Sequence, residues 1–185
     1  MDGGVPPLST SAATNGARLP SSSLCLRVVL LDAEPAIWRR VRVPSRMTLR
    51  RFHGVLRCAL GRPDVESHRF RVGDVLYGNT VEGLPTRDSR WATLDEFVAN
   101  GIRSFGYELA VPGIAVHDVR VEAILEGSAD DGRAVCLGGS GVWSGGGDGA
   151  GEDGLAFVVP DVFDTFDLEA VNRALARLPS SPIRA

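Results

Sequence analysis

The stretch from Glu34 to Gly61 constrains the fold more than any other part of the sequence. It contains a strand pattern, a proline and a helix pattern in succession. In the strand pattern, Ile37, Val41 and Val43 occupy odd positions, so their side chains point to one face. Trp38 and the even-numbered arginines point to the other face, and Arg39 interrupts the alternation. The first half of the stretch therefore predicts a strand with one apolar face.

The second half of this stretch predicts an amphipathic helix. Thr48 or Ser45 can cap its first turn, and Gly61 can supply the left-handed residue that ends it. Apolar residues recur three and four positions apart and form one stripe: Leu49, Phe52, Val55, Leu56, Ala59 and Leu60.

Three hairpins are predicted along the chain. The apolar run 24–32 precedes the Ile37 strand closely enough to pair with it. A second hairpin turns at Gly73-Asp74. Pro112-Gly113 suits the centre of a third, looser hairpin, between strands 105–111 and 114–125.

Two further helices are expected. Thr93 and Glu96 form a capping-box pattern, and Gly101 ends that short helix. Thr165 or Asp167 caps the last helix, whose stripe ends before Pro179 and comprises Leu168, Val171, Leu175 and Leu178. Strands in hairpins with separate helices predict an α+β fold, a mainly antiparallel sheet with helices packed mostly on one face.

The domain organisation follows from composition. Residues 1–23 are poor in large apolar side chains and are expected to form a disordered tail. Residues 24–178 form one predicted domain. Within it, residues 138–154 include nine glycines and predict a flexible loop. Residues 179–185 form a short tail.

The composition also limits the chemistry and the location. All 20 basic residues are arginine, which excludes lysine Schiff-base chemistry and a Walker-type phosphate lysine. The cysteines, Cys25, Cys58 and Cys136, have no metal-binding or redox spacing and indicate a reducing compartment. No apolar run approaches the ~20 residues of a membrane span. We expect a cytoplasmic protein with no membrane partner.

The charges are distributed unevenly. Residues 39–71 include ten arginines and two carboxylates, whereas residues 118–172 include twelve carboxylates and two arginines. This asymmetry predicts either an anion-binding face or two halves that pair with each other in the fold. Arginine beside an aromatic ring suits phosphate contact and base stacking. The candidate nucleic-acid-binding residues are Trp38, Arg40, Arg42, Arg46, Arg50, Arg51 and Arg57.

Several motifs resemble one family. Pro-x-Ile-Trp-Arg-Arg-x-x-Val-Pro, beginning at Pro35, precedes Thr-Leu-x-x-x-His and then Ala-Leu-Gly ending at Gly61. These residues resemble the plasmid Ri ORF-3-like family, whose members are described as TnpR-type transposon passengers. The resemblance covers residues 24–178, and it implies an α+β fold and DNA as a natural partner.

The three histidines form a candidate polar centre. His53, His68 and His117 fall where the family pattern has histidine, on a predicted helix and two strands. They predict either a metal or acid–base centre or three histidines that serve the fold. The family's aspartates in this region are replaced by Ala110 and Gly113, which argues against retained chemistry.

We therefore expect a non-catalytic binding or accessory domain, without catalytic residues, metal or cofactor. Its partner is a protein or an anionic polymer, and the chain can be associated with a mobile element. One alternative is a nucleic-acid-binding or recombination accessory protein that acts through the arginine-rich face. The other is a degenerate metal-dependent enzyme with a histidine centre.

Overall fold

The computed structural model describes residues 22–78, 86–111, 113–126, 132–141 and 166–179. This part of the chain is an α+β structure with one mixed eight-stranded sheet and three helices. The strands are β1 (Ser22–Leu30), β2 (Trp38–Pro44), β3 (His68–Val72), β4 (Val75–Gly78), β5 (Thr86–Asp88), β6 (Ser104–Val111), β7 (Gly113–Glu126) and β8 (Val135–Ser140). The helices are α1 (Leu49–Ala59), α2 (Leu94–Ala99) and α3 (Leu168–Ala176).

The strand order in the sheet is β5-β4-β3-β6-β7-β1-β2-β8. The three predicted hairpins are confirmed, since β1 pairs with β2, β3 with β4, and β6 with β7, all antiparallel. Edge strand β5 joins β4 in parallel, and every other adjacent pair of described strands is antiparallel. The long strand β7 therefore connects the β3–β6 half of the sheet to the β1–β2 half.

Two stretches expected to be loops contain strands. The connection predicted over residues 79–90 includes β5, and residues 138–140 of the predicted glycine-rich loop belong to β8. Both strands lie at the edges of the sheet and are short, so their sequences contain too few alternating residues to predict a strand. Strand β1 begins at Ser22, two residues before the predicted start. Residues 1–21, 142–154 and 180–185, which include the rest of the loop and tails, lie outside the described residues.

The predicted helix signals are confirmed. Thr48 Oγ1 accepts a hydrogen bond from the Arg51 backbone N–H at the start of α1, and Gly61 has a φ of 72° after its end. The capping box at α2 is formed, and the Asp167 side chain caps α3. No helix of the described chain is long and apolar enough to cross a membrane.

The hydrophobic core lies between α1 and one face of the sheet, the inner face. The stripe on α1 is buried against alternate residues of the strands, and Phe52 stacks on Phe70 of β3 with ring centroids 5.9 Å apart. Helix α2 reaches the same face through Phe97, which contacts Phe105 of β6 edge to face. Alternation then places the intervening strand residues on the opposite side, the outer face.

Candidate functional site

The predicted histidines lie in the core, around Tyr107. His53 of α1 and His68 of β3 stack with ring centroids 3.7 Å apart and planes 8° apart. His53 Nδ1 is 2.9 Å from Tyr107 Oη. His117, on β7, lies opposite Tyr107 of β6 in the sheet, and its Nδ1–H donates to the Tyr107 carbonyl oxygen at 3.2 Å. Tyr107 therefore stands between the stacked pair and the third histidine.

Burial keeps these groups neutral. His117 and Tyr107 are fully buried, and His53 and His68 are almost so. Burial, aided by the charge of His68, lowers the pKa of His53 to about 3, and burial lowers the pKa of His117 to about 4. Burial also lowers the pKa of His68 and raises that of Tyr107. At neutral pH the cluster is uncharged.

The histidines do not surround a common point. Within the described ranges, no three His, Cys, Asp or Glu side chains are close enough to share a metal ion. The Nδ1 atoms of His68 and His117 are hydrogen-bonded to the backbone carbonyl oxygens of Glu66 and Tyr107. The arrangement can hold α1 against β3 and β6.

The candidate arginine set is divided by the sheet. Trp38, Arg40 and Arg42 alternate with buried residues of β2 and lie on the outer face. Among the other candidates, Arg50, Arg51 and Arg57 lie on α1, and Arg46 lies in the connection between β2 and α1. The three helix arginines are therefore on the opposite side of the sheet from Arg40 and Arg42.

Arg39 explains the break in the strand pattern. Its side chain is 3% exposed and lies on the inner face, where its guanidinium spans the end of α1 and the end of β8. Burial lowers its pKa to about 10, so it remains charged at neutral pH. It donates hydrogen bonds of 2.7–2.9 Å to the carbonyl oxygens of Trp38, Ala59, Ser140 and Gly141.

The outer face includes further arginines that were not among the predicted site residues. Arg120 and Arg27 are paired across β7 and β1, and Arg27 is paired with Arg40 across β1 and β2. Arg69 and Arg71 extend the face on β3, where they alternate with buried residues. The alternation of residues within β1, β3 and β7 indicated that these arginines share a strand face. Only the order of the strands in the sheet shows that the faces of different strands form one surface.

Trp38 lies beside two of the arginines on the outer face. The Arg27 guanidinium carbon is 4.9 Å from the Trp38 ring centroid, and that of Arg40 is 5.9 Å away. Both distances fall within the ~6 Å range of cation–π attraction. The indole is thus within cation–π range of two guanidinium groups.

Carboxylates neutralise part of this charge. Glu122 pairs with Arg40 at 2.6 Å, Asp118 pairs with Arg120, and Glu108 accepts from both Arg69 and Arg71. The pKa of Glu122 is lowered mainly by the hydrogen bond that Arg40 donates to its carboxylate. Arg40–Glu122 is one pair that joins the arginine-rich and acidic parts of the chain. Among the described residues, Glu108, Asp118 and Glu122 pair with four of the six arginines on the outer face, which are Arg27, Arg40, Arg42, Arg69, Arg71 and Arg120.

Comparisons with known proteins identify a family and a related fold. Residues 22–153 match the family model of the plasmid pRiA4b ORF-3-like proteins. The uncharacterized protein y4hQ of Sinorhizobium fredii is 33% identical over 105 residues, which are 55% of this chain and 54% of the relative. The chain therefore spans about half the length of that curated relative.

A solved structure has a similar fold. The crystal structure of MM3350, a protein of unknown function from Methanosarcina mazei, superposes with a TM-score of 0.59. The match covers 66% of this chain and 72% of the other, at 20% identity, and it shows similarity of fold alone.

Proposed function

The chain belongs to the plasmid pRiA4b ORF-3-like family, and on that premise we propose that it is a non-catalytic binding domain. The observation that supports this function best is the outer face of the sheet, where Trp38 lies beside Arg27 and Arg40 and further arginines follow on neighbouring strands. A cationic surface with an aromatic ring binds anionic partners through charge and stacking.

The burial of the histidine cluster supports a non-catalytic role. A general base must come within hydrogen-bond reach of the proton that it removes. His117 and Tyr107 have no exposed surface, and the His53–His68 pair is covered by the core. A substrate on the outside of this structure would not reach these rings, so we assign them to the fold.

Single-stranded nucleic acid is the candidate partner that the outer face favours. The Trp38 ring offers a stacking surface for a base, and Arg40 and Arg42 on the same strand face can contact phosphates. The net positive charge of the face is modest, so binding should be weak, and because it is electrostatic it should weaken further as the salt concentration rises.

The test is the binding of labelled single-stranded and duplex DNA over a series of salt concentrations. The double variant Arg40→Ala/Arg42→Ala removes two charges from the outer face. The matched control, Arg46→Ala/Arg50→Ala, removes two exposed charges from α1 and the connection that precedes it. We expect micromolar binding that weakens as salt rises, loss of at least about tenfold in the first variant, and near wild-type affinity in the control.

Equal losses in both variants would attribute binding to net charge and contradict a role for the outer face. No binding to either DNA at low salt would reject the nucleic-acid candidate. A protein partner would then be sought by pull-down with wild type and Trp38→Ala.

The alternative of a degenerate metal-dependent enzyme has its own test. It requires a metal ion held by His53, His68 and His117, so purified protein should contain metal or take up added zinc or manganese stoichiometrically. We expect less than stoichiometric uptake, because Tyr107 separates His117 from the stacked His53–His68 pair. Stoichiometric uptake that is lost in His68→Phe would overturn the non-catalytic proposal.

The proposal includes a cytoplasmic location and an association with mobile elements. The first is supported by the free thiols of Cys25, Cys58 and Cys136, which are typical of a reducing compartment. The second is supported by the description of the family, which names a plasmid reading frame.

A further inference from the structure

A cavity of about 190 Å³ lies between α1, α3 and the residues that lead into β8. Three arginines line it: Arg51 and Arg57 from α1, and Arg133. None of the described residues that line it is an aspartate or glutamate. The described wall of this cavity therefore carries three guanidinium groups and no carboxylate.

The rest of the wall is mainly apolar. Val55 of α1 and Leu175 of α3 form its buried sides, and Met47 and Leu178 complete the apolar surface. Apolar walls beside guanidinium groups suit a ligand that has an acidic group and a hydrophobic body.

Gly54 keeps one side of the cavity open. It lies in the middle of α1, where glycine costs about 0.5–1 kcal/mol relative to alanine. A Cβ built at this position meets no other atom within 4 Å, so close packing does not require glycine there. A side chain at residue 54 would instead extend into this space.

Arg51 and Arg57 are held at the wall by neighbouring groups. Arg57 forms an ion pair with Glu66, and its buried Nε has no hydrogen-bond partner in the described part of the chain. Arg51 donates to the carbonyl oxygen of Pro179, after the end of α3, and its burial lowers its pKa. These contacts position both side chains and reduce the ordering that a ligand would have to impose.

We propose that this cavity binds a small organic carboxylate with an apolar body. The planar guanidinium fork matches a carboxylate in two parallel hydrogen bonds. The volume is below the ~300–1,000 Å³ of pockets for drug-sized ligands, which limits the ligand to a small molecule. The site lies on the α1 side of the sheet and goes beyond the proposed function of the outer face.

Benzoate and its neutral analogue benzamide test the proposal by calorimetric titration of the full chain. Wild type should bind benzoate saturably, and benzamide at least about tenfold more weakly, a difference of about 1.4 kcal/mol. Arg133→Ala changes an exposed residue and should weaken benzoate binding at least about tenfold. Arg46→Ala, an exposed arginine outside the cavity wall, should leave it unchanged.

A variant whose new side chain fills the cavity provides a second test of the proposal. Gly54→Leu should abolish benzoate binding without lowering the melting temperature, since leucine favours the helix and occupies open space. Equal affinity for benzoate and benzamide, retained binding in folded Gly54→Leu, or no saturable binding up to about 10 mM would each overturn the proposal. DNA binding is measured in a separate experiment. A failure of carboxylate binding in the cavity is therefore distinguished from a failure of nucleic-acid binding by the outer face.

Discussion

His53 and His68 are stacked face to face in the core, with ring centroids 3.7 Å apart, although they come from a helix and a strand. Protonation of either ring would place a cation beside the other in a site without solvent. The stack therefore depends on both rings being neutral, and this links the stability of the fold to pH.

Stability should fall as the pH drops below about 6.5. Because the pKa of each histidine is lower in the folded than in the unfolded state, the unfolded chain binds more protons in this range. The stabilisation is complete above about pH 6.5 and is lost progressively toward the folded pKa values, about 4 for His117 and about 3 for His53. Each group contributes up to about 1.4 kcal/mol per pH unit.

Urea unfolding between pH 7 and 5 measures this slope. His53→Phe retains an aromatic ring against His68 but removes one titrating group, so its slope should be smaller than that of wild type. Its absolute stability will also change, because Tyr107 loses a partner, but the slope is independent of that loss. A flat wild-type profile, or an unchanged slope in the variant, would contradict the prediction.

Arg39→Ala should lower the free energy of unfolding by about 3–5 kcal/mol. The change leaves carbonyl oxygens at the end of α1 and along β8 without their donor. Arg39→Lys should also be destabilising, because an ammonium group cannot reach acceptors arranged around a planar fork. Denaturant unfolding measures both effects.

The neighbouring residue supplies the control for this prediction. Arg40→Ala breaks a solvent-exposed pair with Glu122 and should cost no more than about 1 kcal/mol. Similar losses for both alanine variants would show that the buried position of Arg39 has no special role.

If the outer face binds nucleic acid, Glu122→Gln should strengthen that binding. The change preserves the shape of the side chain, removes one negative charge and releases Arg40. A gain of about 0.5–1 kcal/mol corresponds to about two- to fivefold tighter binding at low salt. Glu66→Gln removes the same charge beside Arg57 on the helix side and should have no effect on DNA affinity.

Gly54→Ala should raise the free energy of unfolding by about 0.5–1 kcal/mol, because alanine favours the helix and its Cβ meets open space. Gly139→Ala in β8 is the opposite case, since its Cβ would lie 2.8 Å from Arg39 Cδ and 2.9 Å from the Trp38 carbonyl oxygen. That variant should lose about 1–3 kcal/mol. Thermal unfolding of both variants tests the pair, and a destabilised Gly54→Ala would mean that helix propensity is not the controlling factor.

Local sequence patterns determined the helices and the three hairpins. The stripe from Leu49 to Leu60, the caps at Thr48 and Asp167, and the left-handed Gly61 act within a few residues, so their structural consequences could be predicted. Strands β5 and β8 could not, because a short edge strand is defined by the partner to which it adds.

The positions of the charged groups depended on tertiary structure. The sequence placed Arg40 and Arg50 in one cationic stretch, but the sheet separates them, because Arg40 lies on the outer face of β2 and α1 packs against the inner face. Arg27 and Arg120 joined Arg40 only through the register of β1 with its two neighbours. The sequence thus determined which segments form strands and helices, whereas long-range pairing decided which arginines share a surface and which one is buried.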